Sequence, residues 1–482
     1  MRKTKIVATI GPASKDEECL KNLIESGMDV ARQNFSHGDY ENHEKKLKTI
    51  RRLSDNIGVM MDTQGPEIRL KQVKDGAVLN KGDDVELVTS DIVGDEEKLS
   101  VDHSNIMDYL EEGNTVLIDD GQIELKVDSV GDGVANCSVV YGGKVSSRKS
   151  VNIPGKEVGL KAPTDKDIED IKFGAKKGFD FVSASFIKSA DEIRRIKELL
   201  RKENSDMDVI AKIEHVKAVE NLDEILKETD GVMIARGDLG VEIPASEVPL
   251  IQKRIIHKCN KEGIPVITAT QMLKSMTESP KATRAEVSDV ANAVMDGTDA
   301  VMLSEETAIG KFPVKSLEFM SEVVQEIEEY LKDEVHHTVQ VESKNIADII
   351  SKNVWQASKE IESNYIVAHT TSGYTAKHIA KYRPETDIIV MTNSKNVQRK
   401  LNLVWGITPY YTEFKHHVDE MICDSAETLY QNNKVDLSDT LVLSAGVPTS
   451  VSGTTNMMEI RTVESLIQEK GNLMKGSKIQ KN

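Results

Sequence analysis

Hydrophobic and polar positions follow two alternating periods over the first 340 residues of the chain. Short β-branched runs, in which nearly every position is apolar, are each followed by a longer segment with apolar residues at helical spacing. Such continuous apolar strands are typical of a parallel sheet that is buried on both faces. We predict eight of them, at residues 5–10, 30–34, 59–62, 181–185, 209–213, 231–234, 265–269 and 300–303. Eight strand–helix units in succession favour a closed (β/α)8 TIM barrel.

The connection after the third strand breaks this alternation. Residues 70–158 are rich in Gly, Val and Asp, and they carry the strand-like runs VELVTS, TVLIDDGQIELKV and ANCSVVYGG. We predict a small β-barrel domain that is inserted into a βα loop of the larger barrel. Because βα loops lie at the catalytic end of a TIM barrel, the insert could close over the site as a lid.

A second α/β pattern begins near residue 341. Helical segments such as NIADIISKNVWQASKEI and VDEMICDSAETLYQ alternate with the apolar runs YIVAHT, DIIVMTN and TLVLSAG. This pattern predicts an open, doubly wound sheet. The predicted division is therefore a barrel at 1–69 and 159–340, an inserted lid at 70–158, and a C-terminal α/β domain at 341–482.

Composition narrows the range of partners. The chain has 482 residues, a formal net charge of -18 and four cysteines, with no pair spaced as C-x-x-C. So acidic a chain is a poor ligand for nucleic acid or an anionic membrane surface. No run approaches the roughly 20 apolar residues that a membrane span requires. We therefore expect a cytoplasmic protein with neither type of partner, in which phosphate binding would rely on local cations or metal ions.

Polar side chains follow six of the eight predicted strands. They are Arg32, Asn34, Ser36 and His37; Asp62, Thr63, Glu67 and Arg69; Lys212 and Glu214; Arg236 and Asp238; Thr270 and Gln271; and Ser304 and Glu306. Arginines, a lysine, carboxylates and hydroxyls are the groups that bind a phosphorylated acid through metal ions. Polar residues also cap strand ends in any barrel, but a set that spans six strands favours a site. The sequence has neither a P-loop nor the H-R-D and D-F-G motifs of protein kinases.

At these strand ends the sequence closely resembles the pyruvate kinase family. The matching strings are KIVATIGPAS, RQNFSHG, MDTQGPEIR, IAKIEH, IARGDLGVEIP, ITATQML, TRAEVSDVANAVMDGTDAVMLSEETAIGKFP and HTTSGYTAKHIAKYRP. The resemblance implies transfer of a phosphoryl group from phosphoenolpyruvate to ADP, giving pyruvate and ATP. It also implies Mg²⁺ or Mn²⁺ and K⁺ as cofactors and a homotetramer as the assembly.

The resemblance also implies a role for each matching residue. On the substrate side, Arg32 contacts the transferred phosphoryl group and Lys212 stabilises developing charge. Thr270 and Ser304 are further catalytic residues. The substrate carboxylate is received by the backbone of Gly237 and Asp238 together with Thr270. Mg²⁺ is held by Glu214 and Asp238, and K⁺ by Asn34, Ser36, Asp62 and Thr63. The nucleotide side comprises Asn34, His37, Arg69 and Lys149.

The chain departs from the usual family pattern at two places near the site. Glu305 stands where relatives usually have Gly, and His215 stands where Asn is common. In the family a glutamate at the position of Glu67 accompanies dependence on potassium, whereas a lysine accompanies independence. We therefore expect activity to require a monovalent cation.

Hydroxyl- and glycine-rich loops in the last domain offer N–H groups to anions. By resemblance, a sugar phosphate or nucleotide effector would bind at Thr370, Thr371, Ser372, Gly373 and Thr375, near a second loop at residues 446–456. These loops could instead merely cap helices. The segment Asp119-Asp120-Gly121 also has two interpretations. It is either a hairpin turn or the place where a carboxylate of the lid reaches the nucleotide.

Two other functions remain compatible with the strand ends taken alone. One is a barrel lyase or aldolase that acts on pyruvate or phosphoenolpyruvate with the same metal, although it would need no inserted lid. The other is a catalytically inactive relative that senses a metabolite, although Lys212, Glu214, Asp238 and Thr270 are all present. An assay with and without ADP separates these functions.

Overall fold

The computed structural model describes residues 2–156, 158–332, 345–413, 415, 417–447 and 453–479. Its strands, in chain order, are β1 (Lys5–Thr9), β2 (Val30–Asn34), β3 (Gly58–Asp62), β4 (Val78–Leu79), β5 (Asp84–Val88), β6 (Lys98–Ser100), β7 (Thr115–Ile118), β8 (Ile123–Gly131), β9 (Val134–Tyr141), β10 (Gly143–Lys144), β11 (Val151–Asn152), β12 (Phe181–Ala184), β13 (Asp208–Ile213), β14 (Gly231–Ala235), β15 (Val266–Ala269), β16 (Ala300–Leu303), β17 (Tyr365–His369), β18 (Asp387–Thr392), β19 (Ile407–Tyr411), β20 (Thr440–Ala445) and β21 (Met457–Thr462).

The α-helices, in the same order, are α1 (Glu17–Glu25), α2 (Tyr40–Leu53), α3 (Asp165–Lys177), α4 (Ala190–Lys202), α5 (Val216–Glu220), α6 (Leu222–Glu228), α7 (Arg236–Glu242), α8 (Val248–Glu262), α9 (Arg284–Met295), α10 (Glu305–Ala308), α11 (Pro313–Lys332), α12 (Ile346–Glu360), α13 (Tyr374–Ala380), α14 (Lys395–Leu401), α15 (Val418–Gln431) and α16 (Val463–Ile479). Several begin in reciprocal capping boxes, including α3 at Thr164, α4 at Ser189 and α9 at Thr283. In each box the cap side chain and an acidic side chain three residues later satisfy backbone N–H groups that the helix leaves open.

Eight parallel strands close into a ring in the order β1-β16-β15-β14-β13-β12-β3-β2. The predicted TIM barrel is thereby confirmed, and each predicted strand lies within one residue of the observed one. Buried apolar side chains fill the ring, among them Val7, Met60 and Phe181. Leu403, from the C-terminal region, packs into the same cluster and is 1% exposed.

The insert lies between β3 and α3, which is a βα connection of the barrel as predicted. Its strands form a six-stranded sheet in the order β11-β7-β8-β9-β5-β6 and a two-stranded ribbon, β10-β4. They share an apolar core of their own, which includes Leu70, Leu87, Leu99 and Val116. A separate core is the basis on which such a segment can move as a unit relative to the barrel.

The C-terminal region contains a five-stranded sheet in the order β19-β18-β17-β20-β21, in which β21 alone runs antiparallel to its neighbour. The predicted doubly wound sheet is present, but the sequence did not predict β19, β21 or α16. The sequence of β19, ITPYY, contains a proline, and β21 is an edge strand with no buried residue. The predicted boundary at 340/341 lies outside the described residues.

This region docks against the N-terminal ends of the barrel strands. Arg399 Nε lies 2.7 Å from Asp180 Oδ1, Lys400 Nζ lies 2.8 Å from Asp208 Oδ1, and Arg383 Nη2 lies 3.2 Å from Asp299 Oδ2. The opposite end of the barrel, where the predicted site lies, faces the insert. Within the described residues, no helix is both long and apolar enough to cross a membrane.

Candidate active site

The C-terminal ends of β2, β3 and β13 bring two cations and two carboxylates into contact. Lys212 Nζ lies 2.8 Å from Glu214 Oε1 and 3.3 Å from Asp62 Oδ1. Arg32 Nε donates to the other oxygen of Asp62. The carboxylate side chains are only 1% exposed, so neither is stabilised by bulk water. Parallel strands that end at one rim of the barrel explain why residues so distant in sequence meet here.

Charge pairing at this rim outweighs burial for two of the groups. Burial alone would lower the pKa of Lys212, but the carboxylates of Asp62, Glu214 and Asp238 raise it above its usual value. Burial would raise the pKa of Asp62, but Arg32 and Lys212 lower it. Both groups are therefore charged at neutral pH.

Asp238 behaves in the opposite way. Burial, followed by repulsion from Glu214, raises its pKa to about 7. A divalent cation bound between Glu214 and Asp238 would offset the repulsion that Asp238 experiences in this buried place. Among the described residues there is no group of three or more His, Cys, Asp or Glu side chains that could hold a metal. The pair of Glu214 and Asp238 fits an ion such as Mg²⁺, because Mg²⁺ takes one or two protein carboxylates and completes its shell with water and substrate oxygens.

The first turn of α7 contacts the loop after β15. Gly237 N donates to Thr270 Oγ1 at 2.8 Å, and that hydroxyl donates to Ala269 O at 2.7 Å. Thr270 and Gln271 both have positive φ, at 66° and 56°. A Cβ at Gly237 would lie 3.6 Å from Thr270 Oγ1, which is an ordinary contact. The protein's own packing thus does not require glycine here, and its absent side chain leaves room for a ligand.

The predicted potassium ligands supply only oxygen donors. Asn34 Oδ1 accepts from Ser36 N at 3.0 Å, which holds the loop after β2. Thr63 is 4% exposed, and its backbone oxygen accepts from Ser185 Oγ at 2.7 Å. Asp62 is the one carboxylate of this set. An all-oxygen set of low charge fits a hard monovalent cation.

A cleft of about 320 Å³ lies between the barrel rim and the insert. Its lining includes Glu67, Arg69, Asp119, Asp120, Lys149 and Asp238. Arg69 Nε lies 2.7 Å from Glu67 Oε2, and Lys149 Nζ lies 2.8 Å from Asp119 Oδ1.

Not every predicted residue reaches this cleft. Its described lining contains neither Asn34 nor His37, which is exposed on the loop after β2. It also lacks the other predicted substrate and metal residues except Asp238, namely Arg32, Ser36, Asp62, Thr63, Lys212, Glu214, Gly237, Thr270 and Ser304. Ser304 N donates instead to Glu306 Oε2 at 2.8 Å, at the start of α10. Of the predicted nucleotide-side residues, Arg69 and Lys149 therefore line the cleft, whereas Asn34 ends β2 and His37 lies on the loop after it.

The two departures from the family pattern both contact charged side chains. Glu305 Oε2 lies 3.7 Å from Lys274 Nζ on the surface. His215 Nδ1 accepts from Lys217 N at 3.0 Å, and its other ring nitrogen lies 3.7 Å from Glu242 Oε2 in the cleft. His215 thus caps α5 in addition to lining the cleft.

The sequence did not predict two of the site residues. They lie on the first and fourth barrel strands, for which no candidate site residue was predicted. Ser185 follows β12, and its hydroxyl accepts from Lys212 Nζ at 2.7 Å. Thr9 ends β1, and its hydroxyl accepts from Arg32 Nη1 at 2.9 Å. Each is a polar side chain at a strand end, which is the signal that identified the candidate residues on the other six strands. All eight strands therefore contribute at or next to this rim.

A second cavity lies in the C-terminal region, lined by Thr370, Thr371 and Thr375 with Lys415 and Gly446 among others. The predicted Ser372 and Gly373 are not among its described lining residues, and Gly373 N instead donates to Thr370 Oγ1 at 2.9 Å. Lys415 Nζ lies 2.8 Å from Asp424 Oδ2, so its charge is already paired. Residues 448–452, in the predicted second loop, lie outside the described residues.

A TIM barrel whose rim carries paired cations and carboxylates, covered by an inserted domain, is typical of a barrel enzyme that acts on an anionic substrate. Comparison with known proteins specifies which one. A family model described as "Pyruvate kinase, barrel domain" matches residues 1–317, and another described as "Pyruvate kinase, alpha/beta domain" matches residues 348–461. The chain belongs to the pyruvate kinase family.

Individual relatives agree with this assignment. The chain is 45% identical over 477 residues to a pyruvate kinase of Staphylococcus saprophyticus, covering 96% of this chain and 81% of that one. It is 43% identical over 490 residues to one of Staphylococcus epidermidis, covering 99% and 83%. A solved pyruvate kinase structure from Cryptosporidium parvum superposes with a TM-score of 0.88 at 35% identity, covering 96% of both chains. The protein is thus a phosphotransferase that converts phosphoenolpyruvate and ADP to pyruvate and ATP, the last step of glycolysis.

Proposed function

We propose that phosphoryl transfer takes place around Lys212 at the barrel rim. Mg²⁺ or Mn²⁺ would be held by Glu214 and Asp238, and K⁺ by Asn34, Ser36, Asp62 and Thr63. When bound, the divalent ion would neutralise charge on the phosphoryl oxygens and bridge substrate to protein. The observation that carries the proposal is the contact of Lys212 with two carboxylates that are 1% exposed, beside a third whose pKa is raised.

Arg32 is suited to grip the phosphoryl group. Asp62 and Thr9 fix its guanidinium through Nε and Nη1. Its Nη2 makes no hydrogen bond to the described residues, and the side chain is 11% exposed towards solvent. A guanidinium that is already oriented presents its remaining donors to phosphate with little further loss of entropy.

Lys212 supplies a compact positive charge. Its ammonium is held by Asp62, Glu214 and Ser185, one contact for each of its three N–H groups. A charge that is positioned before the reaction stabilises the negative charge that develops on the transferring group and on the enolate of pyruvate.

The substrate carboxylate would be received at α7. Gly237 N is bonded to Thr270 Oγ1 in the protein alone. A carboxylate that binds to the N–H groups of Gly237 and Asp238 would replace that hydroxyl as acceptor. The exchange would free Thr270 Oγ1 to bond the substrate.

The nucleotide would enter the cleft between barrel and insert. Arg69 and Lys149 are cations in its lining, Asn34 ends β2, and His37 lies on the loop after that strand. Residues 70–158 would close as a lid and exclude water from the transfer. The barrel at 1–69 and 159–340 would carry the chemistry, and 341–482 the regulation and assembly.

We extend the proposal to the partners of the C-terminal region. The hydroxyls of Thr370, Thr371 and Thr375 line a cavity that would receive a phosphorylated effector, and the assembly would be a homotetramer in the cytoplasm. Thr371→Ala with Ser372→Ala should abolish activation by sugar phosphates or nucleotides and leave the basal rate unchanged. Saturation curves for phosphoenolpyruvate that show no shift with any such anion in the parent protein would contradict the effector site.

Turnover by the purified protein tests the proposed roles. Pyruvate and ATP should form from phosphoenolpyruvate and ADP only when both Mg²⁺ and K⁺ are present. Glu67, whose pKa is raised by burial although Arg69 pairs with it, lies at the edge of the same site. Glu67→Lys should retain activity without K⁺, because its ammonium would replace the ion. Equal rates of the parent in sodium and potassium buffers would remove the cation site, and consumption of phosphoenolpyruvate without ADP would favour a lyase.

A further inference from the structure

The guanidinium of Arg236 is fully occupied by hydrogen bonds inside the protein. Nε donates to Ala269 O at 3.1 Å, and Nη2 donates to Thr270 O at 2.8 Å. Nη2 also contacts Met272 Sδ at 2.8 Å, and Nη1 donates to Asp289 Oδ1 at 2.7 Å and to Gln252 Oε1 at 3.3 Å. Each of the five N–H donors of an arginine therefore has an acceptor. None is left for a substrate, so the side chain serves the protein's own geometry.

Two of these bonds fix the backbone conformation of Thr270. Ala269 O belongs to the peptide unit before Thr270, and Thr270 O belongs to the unit after it. Peptide units are planar, so the orientations of these two units together determine φ and ψ of the residue between them. Arg236 holds both carbonyl oxygens with one rigid, planar group.

That conformation is one that threonine does not adopt readily. Thr270 has a φ of 66°, and the next residue, Gln271, has a φ of 56°. A β-branched residue in the left-handed region is strained by about 1–3 kcal/mol and persists only where its surroundings hold it. Arg236 provides that hold.

Arg236 is in turn anchored to the helical shell of the barrel. Asp289 lies on α9, and Gln252 lies on α8, where it is 5% exposed. Gln252 Nε2 donates onward to Asp296 Oδ2, the residue that follows α9, at 3.2 Å. The backbone of Arg236 also begins α7, whose next residue, Gly237, bonds to Thr270 Oγ1. One residue thus joins both halves of the proposed carboxylate site to two outer helices.

We propose that Arg236 is a positioning residue for the phosphoryl-transfer reaction, which holds the strained backbone of Thr270 and thereby places its hydroxyl at the proposed carboxylate site. The inference rests on the role proposed above for Thr270. Lysine cannot replace it, since an ammonium cannot bridge two peptide carbonyls and a carboxylate in one plane.

Arg236→Lys tests the proposal in the full-length enzyme with Mg²⁺ and K⁺. We expect kcat to fall about 100-fold, the size of effect that a small misplacement of a reacting group produces. KM for ADP should change less than twofold, because the nucleotide cleft is not altered. Exchange of the methyl protons of pyruvate with D₂O, measured by NMR without nucleotide, should fall in parallel with kcat. Unchanged kcat and exchange would overturn the inference.

A structural role and a positioning role are separated by two further variants. Arg2 is a matched control, since its side chain is 9% exposed and pairs with Asp29 at 2.6 Å, near the other end of the barrel. Arg2→Lys should lower the midpoint of thermal unfolding and leave kcat unchanged. Asp289→Asn, which only weakens the anchor of Arg236, should lower kcat about three- to tenfold and keeps the test available if Arg236→Lys fails to fold. A normal kcat in Asp289→Asn would count against the proposal.

A double-mutant cycle gives the sharpest result. If Arg236 acts through Thr270, Arg236→Lys should cause less than a threefold further loss of kcat in a Thr270→Ala background. Independent, multiplied losses would overturn the inference. If the parent protein itself did not convert phosphoenolpyruvate and ADP to pyruvate and ATP, the proposed function would be contradicted instead. Failure of the Arg236 inference and failure of the proposed function can therefore be distinguished.

Discussion

The two ends of the barrel use buried carboxylates in opposite ways. Asp208 begins β13 at the end that faces the C-terminal region, and burial would raise its pKa, but Lys377, Lys400 and Lys197 lower it. Asp238 follows the adjacent strand β14 at the opposite rim, where burial and Glu214 raise its pKa to about 7. The two groups are the same residue type on neighbouring strands. They differ in whether the protein supplies their counter-charge.

This difference separates structural from functional charge. Asp180, at the same end as Asp208, is 1% exposed and accepts from Val59 N at 2.8 Å, while Arg51 and Arg399 both pair with it. Its hydrogen bonds are satisfied within the chain, so it joins the two regions. At the rim the protein leaves negative charge in excess, which is the arrangement expected where a cation or ligand completes the site.

Removing Lys212 from the rim should have the largest effect on the reaction. Lys212→Met deletes the charge between Asp62 and Glu214, and we expect turnover to fall roughly 10³-fold while the fold is retained. Circular dichroism and a coupled assay for pyruvate measure the two properties. Near-normal turnover of a folded variant would remove Lys212 from the reaction.

Removing a carboxylate at the other end should affect stability instead. Asp180→Ala leaves Arg51 and Arg399 without their shared partner, and we expect unfolding to become easier by about 3–5 kcal/mol. Turnover per folded molecule should change less than threefold. Asp191→Ala is the matched control, because Asp191 is 72% exposed in its pair with Arg194 and should change stability by no more than about 1 kcal/mol. A loss of turnover with normal stability in Asp180→Ala would break the comparison between the ends.

The pH dependence of the stability of the metal-free protein should reveal the excess of negative charge at the rim. Asp238 has a pKa of about 7 in the folded protein, against a reference value of 3.8. The folded state therefore binds more protons between about pH 4 and pH 7, so its stability falls as the pH rises through that range. Asp238→Asn removes this loss, which is at most about 1.4 kcal/mol per pH unit.

Urea unfolding in a chelating buffer at pH 5 and pH 8 measures the effect. The free energy of unfolding of Asp238→Asn, relative to that of the parent, should be greater at pH 8 than at pH 5. Added Mg²⁺ should reduce this difference between the two proteins at pH 8. If the difference in free energy of unfolding between the two proteins did not depend on pH, burial and repulsion from Glu214 would not raise the pKa of Asp238.

Most of the barrel and its rim could be predicted from the sequence, because continuous apolar runs determine the strands and polar residues directly follow them. Lys212 and Glu214, two residues apart on one strand, are an example. The prediction missed Ser185, since a single serine after an apolar run is indistinguishable from an ordinary strand cap. It missed β21 because both faces of an edge strand are partly exposed, which removes the apolar signal.

Other features depend on contacts between segments that are distant in sequence. Nothing in the run around Leu403 indicates that it packs inside the barrel, since that contact depends on how the C-terminal region docks. The pairing of Asp62 with Arg32 and Lys212 likewise follows from the order in which the strands close.

Metal binding at the rim tests the central claim most directly. Mn²⁺ titrated into the protein with phosphoenolpyruvate can be followed by the loss of the free-ion EPR signal. The account predicts one tight divalent site per chain in the parent, loss of at least tenfold in affinity in Glu214→Gln, and no change in Asp208→Asn at the other end. Equal Mn²⁺ affinity in the parent and Glu214→Gln would contradict the assignment of the rim as the metal-dependent transfer site.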